Sequence, residues 1–86
     1  MNVEEKVKNI VCEAINEEFE LLKNDASLVE EYHIDSMMAL GIMVALEKEF
    51  NIYIPEEDIA EFDTLDDIIS LTKEHIEEAK KKKEEE

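Results

Sequence analysis

The chain contains no arginine and no tryptophan, and it has only one glycine, one proline and one cysteine among 86 residues. So little glycine and proline leaves scant material for the tight turns that a sheet of short strands requires, while Glu, Lys, Leu, Ala and Met, which favour helices, dominate. An all-α class is predicted. The single cysteine, Cys12, cannot form an internal disulfide, which agrees with a cytoplasmic protein. No apolar run approaches the ~20 residues that span a bilayer, and Met-Asn-Val-Glu-Glu lacks the basic-then-apolar layout of a signal peptide. No segment matches a calcium loop of the form Asp-x-[Asp/Asn]-x-[Asp/Asn]-Gly closed by Glu, and the sole glycine, Gly41, falls inside a predicted helix. A calcium sensor is thereby excluded. His33 and His75 lack the paired spacing of metal ligands, so both are expected at the surface and no metal site is expected.

What is present is negative charge: 25 acidic residues against nine lysines, a formal net charge of −16. Such a field repels nucleic-acid phosphates and anionic membranes and steers basic protein surfaces toward the chain. A chain this short forms one domain and buries roughly 60–65% of its unfolded surface. A charged fraction of 40% would suggest disorder were the 44% hydrophobic fraction not grouped into periodic segments.

Val3, Val7, Ile10, Val11, Ala14, Ile15, Phe19 and Leu22 recur at three- and four-residue steps, predicting one amphipathic helix with Cys12 nearly opposite its apolar stripe as a partly exposed structural thiol. From about Asn24 to Asp35 the pattern breaks into a long loop anchored by Leu28, Val29, Tyr32 and Ile34. Asp35 is placed to cap a second helix running through Phe50, with Ser36 in its first turn. Pro55 followed by Glu56, Glu57 and Asp58 opens a short third helix. Thr64-Leu65-Asp66-Asp67 reads as a capping box with Asp in place of Glu, and Leu65, Ile68, Ile69, Thr72 and Ile76 form the last stripe. The fold predicted is a four-helix bundle with three longer helices and one short third helix over residues 1–77, followed by a charged, frayed tail over 78–86.

Met37 to Leu46 is ten consecutive uncharged residues in a highly charged chain. At about 100° per residue, Ala39, Ile42, Met43, Leu46 and Phe50 share one face, with Met37, Met38, Gly41, Val44 and Lys48 opposite. Two explanations stand: a helix buried on most sides, or an exposed docking stripe in which flexible methionines repack against partners.

His33-Ile34-Asp35-Ser36-Met37, then Ala45-Leu46-Glu47-Lys48-Glu49-Phe50, Ile54-Pro55-Glu56-Glu57 and Phe62-Asp63-Thr64-Leu65, in this order and spacing, resemble the acyl carrier protein family over nearly the whole bundle. The resemblance implies a free-standing, non-catalytic carrier in which Ser36 receives 4′-phosphopantetheine from coenzyme A through a separate Mg²⁺-dependent transferase. Asp35 then presents Ser36 and contacts the transferase or its metal, or acts as a helix cap alone. The arm supplies the thiol and acyl groups travel on it as thioesters. Asp35, Met37, Met38, Gly41, Val44, Glu47 and Lys48 form the face toward partners, which are expected to carry basic or mixed basic and apolar docking surfaces; the carrier is expected as a monomer. A Ser–His hydrolase is excluded, because nothing near Ser36 and His33 suggests a positioned base or an oxyanion hole.

Several positions depart from the family pattern, which commonly has Gly where His33 stands, Leu where Met37 stands, and acidic residues at Met38 and Gly41; Lys48 adds a cation where Glu47 keeps the pattern. A fatty-acid pathway is expected or, given these departures, a specialised pathway of fatty-acid or polyketide type. Carriers of aminoacyl or D-alanyl groups, and an acidic interaction module without a prosthetic group, are the alternatives.

Overall fold

Short polar side chains that accept a backbone amide start each α-helix of this protein, and the resulting caps set the order of elements. A computed structural model describes residues 2–85. Helix α1 spans Val3–Ile15, α2 Leu28–Tyr32, α3 Ser36–Phe50 and α4 Leu65–Glu85, with a 3-10 helix, η1, at Glu56–Glu61. Asn2 accepts the Glu5 amide at 2.9 Å, Ser27 that of Glu30 at 3.2 Å and Asp35 that of Met38 at 2.8 Å. Thr64 accepts from the Asp67 amide at 3.1 Å while the Asp67 carboxylate accepts from the Thr64 amide at 3.0 Å. This is the reciprocal capping box expected there.

Helices α1, α2 and α3 end on Asn16, His33 and Asn51 in the left-handed region, with φ of 56°, 56° and 53°. Left-handed C-terminal residues satisfy carbonyls left open by the helix, usually through glycine and sometimes asparagine. The chain therefore turns three times without glycine, and Gly41 sits within α3. The all-α class is observed, with three longer helices; the short helix after Pro55 is of the 3-10 type.

Three local readings change. The first helix stops at Ile15 instead of reaching Leu22, because Asn16 turns the chain and both its amide and that of Glu17 bond back to the Cys12 carbonyl. Ala14 is exposed, whereas Phe19 and Leu22 return from a loop that folds against α1: the Lys8 ammonium lies 4.4 Å from the centre of the Phe19 ring, and Leu22 is buried. That loop, with Tyr32 donating to the Glu17 carboxylate at 3.1 Å, also covers the side of α1 expected to face water, so Cys12 is buried and not partly exposed. Burial pushes its thiol pKa up, partly offset by Lys8. Finally, the supposed loop of residues 24–35 contains α2, whose Ser27 cap is clasped to the start of α4. Ser27 Oγ donates to Asp63 at 2.6 Å, and the Leu28 and Asp66 amides donate to the Asp63 and Asn24 carbonyls at 2.7 and 3.1 Å.

The core lies where α1, α3 and α4 meet, around Val7, Val11, Ile42, Leu46, Leu65 and Ile68, with Leu28 and Ile54 closing it from the connections. Thr72 is also buried there, its hydroxyl donating to the Ile68 carbonyl at 2.7 Å, so no polar atom is left without a partner at this point. Helix α4 continues unbroken past residue 77, and Glu78, Ala79 and Lys82 line a shallow cleft with Asn51, Ile52, Tyr53 and Pro55. Met1 and Glu86, the outer ends of the two expected segments, lie outside the described residues. Among the described residues no helix is long and apolar enough to cross a membrane.

Candidate functional site

Ser36 opens α3, exposed, immediately after the capping Asp35. The first amides of a helix lack intrahelical partners and carry the positive end of its dipole, a place that favours anions. Among the described residues, α1, α2, η1 and α4 each carry at least two acidic residues in their first turn, while α3 carries none. In a chain of net charge −16 the acidic side chain at this helix start is the capping Asp35 itself. The Asp35 carboxylate is occupied with the Met38 amide, which leaves the Ser36 hydroxyl free to be approached from solvent.

Beside Ser36 lies a cleft of about 250 Å³. Its apolar lining comes from five places: Leu28 and Val29 of α2, Ile34 after it, Ala39 and Ile42 of α3, Ile59, Ala60 and Phe62 of η1 and its exit, and Ile68 of α4. The short side chains of Ala39 and Ala60 leave the space that larger residues would fill. Periodicity showed Leu28, Val29, Ile34, Ala39, Ile42 and Ile68 as helix faces or loop anchors and gave no reading of Ile59 and Ala60; it did not show that they converge on one opening, since they come from segments up to 40 positions apart.

The residues of the expected partner face fall out along α3 as follows. Met37 is 80% exposed and Val44 is 44% exposed, large apolar side chains left in solvent beside Ser36 and farther along the same helix. Gly41 and Lys48 are exposed as well, whereas Met38 is half-buried. Glu47 is half-buried, its carboxylate accepting the Ile54 amide at 2.9 Å and so fastening the connection between α3 and η1. The opposite face is core: Ala39, Ile42, Met43 and Leu46 are buried and Phe50 is half-buried. One side of α3 is thus buried core, and the other leaves Met37 and Val44 in solvent.

The histidines divide. His33 is exposed at the end of α2 as expected, but His75 is not a free surface residue: its ring is largely covered and its Nε2 lies 3.0 Å from Asp58 of η1. Charge spacing held no signal for this pair, whose members are 17 positions apart. No cluster of three or more ligating side chains that could hold a metal ion occurs among the described residues.

Compared with known protein families, residues 5–71 match the family model described as phosphopantetheine attachment site.

Proposed function

The chain belongs to the phosphopantetheine-attachment family, whose members carry 4′-phosphopantetheine covalently on a serine, and from that premise we propose that Ser36 is the attachment residue of an acyl carrier. The family's domains are carriers, so catalysis lies with the enzymes that they serve, and a reading as an interaction module without a prosthetic group is set aside. The observation that carries the proposal is the position of the Ser36 hydroxyl: exposed, at a helix start without first-turn acids, at the mouth of an apolar cleft. A phosphodiester formed there meets free amides and the positive end of the α3 dipole. The other two serines are poorly suited. Ser27 is held between the Glu30 amide and Asp63, and Ser70 stands in the middle of α4 near Asp67 and Glu74, where a phosphate would meet like charge.

The cleft supports an apolar cargo. A cavity of ~150 Å³ lined by aliphatic side chains admits benzene, so about 250 Å³ beside the attachment point suits a stretch of alkyl chain. A charged aminoacyl or D-alanyl group would gain nothing from Leu28, Ile34, Ile42 and Ile59. The protein accordingly holds fatty-acyl or polyketide-type intermediates as thioesters. Its docking face comprises Asp35, Met37, Met38, Gly41, Val44, Glu47 and Lys48, offered to a transferase and to acyl-processing enzymes with basic or mixed basic and apolar surfaces.

Intact mass after incubation with coenzyme A, Mg²⁺ and a broad-specificity phosphopantetheinyl transferase tests the assignment. One added phosphopantetheine, mapped by peptide mass to Ser36 and abolished in a folded Ser36→Ala variant, is expected. Modification of Ser27 or Ser70, or undiminished modification of the Ala variant, would refute it.

A further inference from the structure

We propose that His75 is a positioning residue for the cleft: held on α4, its imidazole latches Asp58 of η1 and keeps the wall formed by Ile59 and Ala60 closed against the space beside Ser36. The consequence for cargo rests on the carrier reading above; the latch itself does not.

Of the walls around the cleft, η1 is the one least secured by its own structure. It is a six-residue 3-10 helix, whose hydrogen-bond geometry is poorer than that of an α-helix, and Pro55 at its start provides no side-chain cap. Its flanks are anchored. Ile54 is buried with its amide on Glu47, and the Asp63 amide beyond Phe62 donates to Asp67 at 3.2 Å. Between those anchors, the polar side-chain link from η1 to the rest of the bundle, among the described residues, is Asp58 to His75 at 3.0 Å. Asp58 directly precedes Ile59 and Ala60, which line the cleft.

The link is built to hold. Its side chains are 12% and 22% exposed, against 40% and 46% for the surface pair Lys6–Glu49, so water competes less for it. A carboxylate only accepts, so Nε2 carries the shared proton. The other ring nitrogen, Nδ1, lies 3.4 Å from Glu78 one turn along α4. Without the imidazole, Asp58 and Glu78 would oppose each other across the vacated position. The ring borders a shallow cleft with Asn51, Tyr53 and Lys82, not the aliphatic core, so filling space is not its principal task.

The test compares His75→Leu, which fills space without a donor, with His75→Lys, which keeps a donor, and with Asp58→Asn. In the full-length chain without the arm, hydrogen exchange is followed at the amides of Asp58 and Phe62, which donate to the Pro55 and Ile59 carbonyls at 3.1 Å each. Exchange there is expected to quicken about tenfold in His75→Leu and Asp58→Asn, the scale of one hydrogen bond to a charged group, with α1 and α3 core amides unchanged and His75→Lys close to the parent. In the loaded protein, hydroxylamine should cleave an octanoyl thioester faster by a similar factor in the same two variants, while an acetyl thioester, too short to enter the cleft, is cleaved at an unchanged rate. Unchanged exchange in η1, or a Leu variant as protected as the parent, overturns the latch. Equal acceleration of acetyl and octanoyl cleavage overturns its role at the cleft. If no phosphopantetheine can be attached, the carrier reading fails and the exchange measurement still decides the latch.

Discussion

Asp35 and Met38 are joined across Ser36 by a 2.8 Å hydrogen bond from the Met38 amide to the Asp35 carboxylate, so the residue proposed to take the arm lies inside a capping turn. Asparagine caps as well as aspartate does, whereas alanine at such a position costs about 0.5–2 kcal/mol. Urea unfolding should therefore show Asp35→Asn close to the parent and Asp35→Ala destabilised by about 1 kcal/mol. The loading rate of the Asn variant then reports on the charge alone. A fall with the fold intact assigns the carboxylate a contact with the transferase or its metal, and an unchanged rate leaves capping as its whole role.

Gly41 occupies a helix interior, and a Cβ built on it meets nothing within 4 Å. Gly41→Ala should raise stability by ~0.5–1 kcal/mol, the difference in helix propensity. A decrease in the urea midpoint at unchanged slope would show that the α1–α3 groove, which Gly41 lines with Ile10 and Ala14, needs the missing side chain.

Docking through α3 should depend on apolar contact more than on charge, because Met37 and Val44 stand out in solvent near Gly41. Met38 is half-buried, so an aspartate there would disturb the fold as well as the surface. Met37→Asp with Gly41→Glu is the cleaner change. It should weaken binding to the chain's own partner enzymes and improve use by a strongly basic fatty-acid enzyme; titrations that show neither would remove this face from the docking surface.

A charge of −16 on so small a bundle makes self-repulsion a destabilising influence, and the Debye length falls from roughly 30 Å at 0.01 M salt to ~10 Å at 0.1 M. The melting temperature should rise over that range. A flat or falling melting curve would mean that repulsion is not what limits the fold.

Burial raises the Cys12 thiol above its ordinary value of 9.0, and burial followed by the hydrogen bond to Glu17 raises the Tyr32 phenol above 10.0. Both groups are neutral acids that the fold favours in protonated form. Their contribution is complete below the unfolded values and is lost as pH rises through the folded ones. Stability should consequently decline above about pH 9, and Cys12 should react with a thiol reagent at neutral pH more slowly than a free cysteine does. Rapid labelling of the native protein would contradict the burial of Cys12.

The residues that act through near neighbours could be read directly. Asp35 and Thr64 were recognisable as caps because a cap bonds to an amide three residues on, and the extent of α3 from Ser36 to Phe50 followed from capping and apolar period together. The left-handed end of α2 also clarifies one departure from the family pattern: the residue at 33 has φ of 56°, a conformation natural to glycine, and histidine adopts it here.

Local sequence by itself thus determined the class of fold, the start of each longer helix and the place of Ser36 in a first turn, since these depend on contacts within about one helical turn. Tertiary structure decided the rest. Phe19 and Leu22 kept helical spacing yet came from a loop, because Asn16 could take a left-handed turn and the returning chain could cover Cys12. The cleft beside Ser36 and the latch of His75 on Asp58 each join segments whose separation in the chain matches no local period, and the Ile54 amide reaches the Glu47 carboxylate only because the chain turns at Asn51. Only packing α3, η1 and α4 around one core brings those side chains within reach.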